Sequence, residues 1–374
     1  MRTHLSHFSP ERGWEQLPSS PLPPDLVLLF GGREVLQRGE ALDTLAACLP
    51  RERFFGCSTA GEIDEATVSD GTVVATSIWL DKSRLVFASV SIDRDGGGSA
   101  EVAGRELAKR LAVEGLRHVF VLSDGTRVNG TQLVEGLTAA LPPHVSLSGG
   151  LSGDGEAMRE TVVCHAGELT SGLVTGIGFA GEIRVGTGSM GGWDAFGPIR
   201  KVTRASGNVL FELDGEPALT LYKRYLGEHA ATLPAGALRF PLKLVTAENV
   251  PVVRTILGVD EATQSMTFAG ELREGSDVQL MRANFDRLVA AGEHAAEASL
   301  SPVGRPEFAI LVSCVGRRLV LKQRAEEEVE AVRAVLGQGV STTGFYSYGE
   351  LAPSTSGARC QLHNQTMTVT TFAE

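Results

Sequence analysis

Nothing in this chain approaches the ~18 uninterrupted apolar residues of a membrane-spanning helix. The N-terminus, Met1 to Pro24, also lacks the apolar core of a signal peptide. Lysine and arginine form no runs, and the net charge is −11. An acidic surface repels phosphates, which argues against nucleic acid as a partner. Cysteine is scarce: there are five, at 48, 57, 164, 314 and 360. None forms a CxxC pair or a zinc-ligand spacing, so no metal is expected and a reduced cytoplasm fits best. The absence of CxxCH excludes covalent haem. There is no Gly-x-Ser-x-Gly either, so no nucleophile elbow is present.

What is present is enough apolar sequence for a large core. Hydrophobic residues make up 43% of 374, a length that suggests two or three domains at roughly 100–200 residues each. The Pro-rich leader, 1–24, is expected to lie on the surface or be flexible.

A search for internal repeats reorganises the reading. One unit starts with the apolar run Leu26 to Phe30. A helix pattern with Leu42, Leu45 and Leu49 follows, then Phe54-Phe55 and a glycine turn ending at Glu62. A second starts at Val119 to Leu122, turns at Ser123-Asp124-Gly125, and shows Val134, Leu137 and Leu141. It ends in Ser148-Gly149-Gly150-Leu151-Ser152-Gly153-Asp154. A third starts at Phe308 to Val312 and turns at Ser313-Cys314-Val315-Gly316. It shows Val329, Val332 and Val335, and ends at Gly349-Glu350. Each reads strand, helix, strand, glycine turn, carboxylate. A βαβ crossover forces a parallel strand pair. Alternating segments after each turn, Thr72 to Ile92, Thr161 to Ala180 and Arg359 to Phe372, predict antiparallel strands. Amphipathic helices are expected before the second and third units, at Ala100–Leu111 and Val278–Leu288. The expected fold is α/β, with mixed sheets built from three pseudo-repeated βαβ units followed by antiparallel strands.

Four ordered segments carry a family resemblance. They are Phe55-Gly56-Cys57-Ser58-Thr59-Ala60-Gly61-Glu62-Ile63, Ser148 to Asp154, the run Asn208 to Gly227, and Gly344-Phe345-Tyr346-Ser347-Tyr348-Gly349-Glu350 with Leu362 to Thr368. Together they resemble the FIST (F-box and intracellular signal transduction) family across nearly the whole chain from Asp25. The resemblance implies a FIST N-terminal domain over 25–217 and a FIST C-terminal domain over 218–374. It implies a bacterial sensor of small ligands such as amino acids. Family members occur alone or fused to kinase, cyclase or chemoreceptor modules, and one haem-binding subgroup senses nitric oxide and regulates a histidine kinase. No output module is visible in 374 residues. Signalling is therefore expected to run through a separate histidine kinase, cyclase or chemoreceptor. The resemblance assigns no catalytic residue.

Glycine turns at the carboxyl ends of parallel strands are where open α/β sheets bind ligands. Backbone N–H groups around Gly150 suit a carboxylate, and Glu62, Asp154 or Glu350 an ammonium group. Turn capping by the same acids is the competing reading. Cys57, Ser58 and Thr59 are candidates for ligand hydrogen bonding; use of Cys57 or Ser58 as a hydrolase-like nucleophile needs a base that no neighbouring residue supplies. Tyr346 and Tyr348 suit a pocket wall, and Arg317 suits a bidentate carboxylate contact. His363, with Asn364 beside it, and His165 are the candidate haem ligands, against the plainer reading of hydrogen-bonded structural histidines. The expectation is a non-enzymatic binding protein without a bound cofactor. If the three turns face one cleft, the three acids converge on a ligand together with Arg317.

Overall fold

The computed structural model describes residues 1–233, 235–245, 251–354 and 357–374. Three equivalent units form its core. The first strand of each is a nearly uninterrupted apolar run, Leu26–Gly31, Leu116–Ser123 and Phe308–Cys314. Such runs are buried on both faces, so they take central positions in layered sheets. Helices follow: Arg33–Arg38 with Glu40–Ala46, then Gly130–Ala140, then Val315–Leu321 with Ala325–Leu336. The second strands, Phe54–Ser58, Ser146–Leu151 and Ser341–Ser347, run parallel to the first. Return strands Val73–Trp79, Leu173–Gly181 and Met367–Ala373 pair antiparallel on the other side of the first strands.

An outer strand completes each unit: Arg2–Ser9, Ser83–Ser91 and Arg184–Met190. The leader was expected to be flexible. Instead, residues 2–8 pair in register with residues 73–79, because the edge of Val73–Trp79 would otherwise expose a row of unpaired backbone groups.

Between second strand and return strand, each unit sends out a short hairpin that does not stay in its own sheet. The hairpin Glu62–Ser69 joins Ser341–Ser347 of the third unit. The hairpin Val163–Thr170 joins Phe54–Ser58 of the first. The hairpin Gly349–His363 joins Ser146–Leu151 of the second. The exchange is cyclic, so the three sheets interlock around a pseudo-threefold axis. Phe30, Phe120, Ile310, Phe345 and Phe372 fill the middle, and the helices cover the outer faces.

The third unit carries an insertion, residues 191–284, between its outer strand and its helix. It forms an eight-stranded sheet through Asp194–Ser206 and Asp277–Arg282. Its own apolar core includes Tyr222 and Leu219 of the helix Ala218–Leu226. The run Asn208–Gly227 thus belongs to this sheet and its covering helix. The helix expected at Val278–Leu288 is a correction. Residues 277–282 alternate in burial and form a strand, and Asn284 then caps a helix over Phe285–Leu300 by accepting from the Arg287 N–H at 3.3 Å. The helix at Ala100–Leu111 forms as expected.

Candidate functional site

The three glycine turns meet at the pseudo-threefold axis. The N–H of Ala60 donates to the Tyr346 carbonyl at 2.8 Å, Gly153 to Ser58 at 2.9 Å, and Tyr348 to Leu151 at 3.1 Å. Each donor lies four residues past a glycine, Gly56, Gly149 or Gly344. A Cβ on those glycines would stand 1.8, 1.9 and 2.0 Å from the carbonyl oxygens of Leu29, Val121 and Leu311. Only glycine lets the parallel strands approach that closely. At Gly150 a Cβ would meet the Val312 side chain at 2.6 Å. That glycine serves packing.

Two of the acids close their own units. Glu62 accepts from the Thr59 hydroxyl at 2.5 Å, the Thr72 hydroxyl at 2.7 Å and the Thr72 N–H at 3.1 Å. Glu350 accepts from the Ser347 hydroxyl at 2.7 Å, the Thr366 hydroxyl at 2.9 Å and the Thr366 N–H at 3.1 Å. Thr72 and Thr366 are the residues just before the return strands. Burial pushes the Glu62 carboxyl up to about 7 and that of Glu350 up to about 8, against the pull of these donors.

The second unit places this device elsewhere. The equivalent of Glu62 and Glu350 is Asp124, which takes the Gly172 N–H at 2.6 Å and the Thr161 hydroxyl at 2.7 Å. Asp124 directly follows the first strand instead of the second, so turn spacing alone pointed to Asp154. Asp154 accepts from the Tyr348 hydroxyl and from the N–H groups of Arg159 and Glu160, each at 3.1 Å. The cation nearest to Asp154 is Arg33, at 3.9 Å.

Arg317 does not reach the turns' acids. Its Nε and Nη2 hold Glu328 at 3.0 and 2.8 Å, and its other hydrogens go to the carbonyls of Gly191, Leu288 and Gln365. Tyr346 and Ser313 complete that buried group, donating to Glu328 at 2.8 and 2.9 Å. With all its donors engaged, Arg317 has none left for a ligand carboxylate. The expected convergence of three acids and Arg317 on one ligand therefore resolves into separate capping and core networks.

An opening lies beside these turns. A cavity of about 390 Å³ forms where the inserted sheet faces the carboxyl ends of Leu116–Ser123 and Phe308–Cys314. Gly125, Asn129, Gly316 and Tyr348 line the core side; Thr255 and Phe268 line the insertion side. Asn129 caps the adjoining helix, accepting from the N–H groups of Thr131 and Gln132 at 3.0 and 3.2 Å. The buried Thr255 hydroxyl has no hydrogen-bond partner among the described residues. Behind Gly316 lies the Gln365 amide, so close that a Cβ there would stand 2.5 Å from Gln365 Nε2; its oxygen is likewise unpartnered. Asn364, also buried, has neither amide atom satisfied among the described residues.

The FIST N domain model matches residues 25–216 and the FIST C domain model residues 218–353. The chain belongs to the FIST family. No curated protein matches it. FIST domains are associated with signal transduction and small-ligand sensing. In this FIST protein the cavity draws on both matches: Gly125 and Asn129 lie within the N domain, Thr255, Phe268, Gly316 and Tyr348 within the C domain. The C-terminal return strand Met367–Ala373 lies past the C match yet sits in the same sheet.

Of the candidate ligand-binding residues read from sequence, Tyr348 alone is among the described residues that line the FIST cavity. Cys57 is buried; burial, with Cys164 beside it, raises its thiol well above the ordinary range. The Ser58 hydroxyl accepts the Val162 N–H at 3.0 Å. Neither has a histidine or carboxylate within hydrogen-bonding distance among the described residues. His363 donates from Nε2 to the Ala352 carbonyl at 3.0 Å, and burial lowers it to about 4. His165 meets the Thr175 hydroxyl at 2.7 Å and the Phe55 ring edge-on. The missed residues, Asn129, Thr255 and Gly316, carry little local signal. Gly125 and Gly316 do fall in the turns after the first strands, but which turns face the insertion is a tertiary fact.

Proposed function

We propose that this FIST protein is a cytoplasmic sensor that takes a small polar ligand, without chemically changing it, into the cavity between the three-unit core and the insertion. The observation that carries the reading is the Thr255 hydroxyl, buried on the cavity wall without a hydrogen-bond partner among the described residues. A buried polar group without a partner costs roughly 1–3 kcal/mol. A ligand that supplies the missing hydrogen bonds recovers that energy. The volume falls within the roughly 300–1,000 Å³ of small-molecule sites. An amino acid suits it, its carboxylate accepting from the Thr255 hydroxyl.

The insertion packs over the carboxyl ends of two first strands, so a ligand held between them couples its position to the core. The read-out is a separate signalling protein of the histidine kinase, cyclase or chemoreceptor type. The sheet hydrogen bonds of His363 and His165 support a sensor that works without haem, and the buried, base-less Cys57 and Ser58 support one that works without covalent chemistry. Thermal-shift screening against amino acids and related acids tests the proposal. Binding at a hundredfold excess over Kd stabilises the folded state by about 2.7 kcal/mol. Thr255→Val should weaken any hit several-fold. A blank across the panel, or a hit indifferent to Thr255→Val, overturns the reading.

A further inference from the structure

A second cavity, about 340 Å³, opens beside the link between the strands Pro251–Arg254 and Ile256–Asp260, where Thr255 lies. Consecutive residues divide between the two: Thr255 lines the first and Arg254 the second. Arg254 is 5% exposed. Among the described residues its guanidinium donates only to backbone carbonyls, those of Leu362 at 3.1 Å, Val253 at 3.3 Å and Glu271 at 3.4 Å. Among the described residues no carboxylate lies within ion-pair distance of it, and its Nη2 has no hydrogen-bond partner. A buried cation is expensive unless an anion meets it.

The described carboxylates that line this cavity are engaged elsewhere. Glu271 accepts from the amides of Asn129 and Gln132 at 3.2 and 3.1 Å, and Glu135 pairs with Arg273 at 3.0 Å. The contrast with the fully buried Arg317 is direct: it has Glu328 against it at 2.8 Å. Gly270 keeps room for Arg254, since a Cβ there would stand 2.8 Å from its Nε. Burial lowers the Arg254 guanidinium to about 10, which leaves it charged at neutral pH.

We propose that Arg254 is the floor of an anion site for a small monocarboxylate, distinct from the sensor cavity. Three guanidiniums, Arg254, Arg273 and Arg359, face two carboxylates, Glu135 and Glu271, across this cavity. Among the described lining residues one positive charge is left over. A monoanion neutralises it, whereas a phosphate dianion overshoots. The unpartnered Nη2 offers its hydrogens to a carboxylate as charge-assisted hydrogen bonds. Val134, Leu244 and Leu362 give the ligand's carbon chain an apolar wall. The buried Thr131 hydroxyl and the Gln361 amide oxygen, both unpartnered among the described residues, offer polar contacts at its edge.

The test is calorimetric titration of the full chain with straight-chain monocarboxylates of two to six carbons, at constant ionic strength in chloride, with inorganic phosphate as the second arm. Saturable binding of at least one monocarboxylate, weakened at least tenfold in Arg254→Gln and several-fold in Arg254→Lys, supports the site. If Arg254→Gln does not fold, Arg254→Lys decides, because it keeps the charge and loses the Nη2 donor. Thr255→Val should leave this binding unchanged, so failure here and failure of the sensor cavity are separable. No saturable carboxylate binding, equal affinity in Arg254→Lys, or phosphate binding as tight as carboxylate overturns the proposal.

Discussion

Glu350→Gln should flatten the pH dependence of stability. In the folded chain burial raises the Glu350 carboxyl from 4.5 to about 8, while in the unfolded chain it titrates at its ordinary value. Between those values the folded state holds a proton that the unfolded state has released. The folded state binds more protons, so stability falls as pH rises. The loss begins near 4.5 and is complete just above 8. Each pKa unit is worth 1.36 kcal/mol, so a shift of this size amounts to roughly 3–5 kcal/mol. Glutamine removes the titration and keeps the shape. Its carbonyl oxygen can take both Thr366 donors, and its amide can donate to the Ser347 hydroxyl. Denaturant unfolding at several pH values from 5 to 8.5 measures the effect. The variant should sit close to wild type at pH 5 and gain on it by a few kcal/mol at pH 8.5. Parallel curves would refute the reasoning, because the three donors around Glu350 would then hold it ionised at its ordinary value.

Arg317→Met should cost about 3–5 kcal/mol, because Glu328 is left buried and unpaired; a loss under 1 kcal/mol in denaturant unfolding speaks against a tightly held pair. Gly149→Ala puts a methyl 1.9 Å from the Val121 carbonyl oxygen and should abolish soluble expression, while Gly71→Ala, with open space around it at φ +65°, should cost only about 1 kcal/mol. Residues 25–217 expressed alone should aggregate, because the hairpin Glu62–Ser69 loses its partner strand Ser341–Ser347. Co-expression with 218–374 should restore solubility, and a monomeric, cooperatively unfolding 25–217 would show that the exchanged hairpin is dispensable.

Read alone, the chain determined whatever depends on neighbours a few residues apart. The apolar runs at Leu26, Val119 and Phe308 set the first strands, and the spacing of Val134 with Leu137 and of Val329 with Val332 set the helices behind them. Gly56, Gly149 and Gly344 marked the turns, and the ordered motifs marked the family. Tertiary structure decided where three-residue strands pair. Glu62–Asp64 and Val163–His165 are too short to bury a face of their own, and nothing local says whose sheet edge they complete. For the same reason Asp124 was hidden as the second unit's buried acid: its partners Thr161 and Gly172 come from distant chain. Arg317 and Glu328 show it again. Eleven residues apart on separate helices, they read as surface charges until packing buries them against each other. Arg254 shows the converse, a charge that packing buries without a carboxylate partner among the described residues, and no sequence period distinguishes the two.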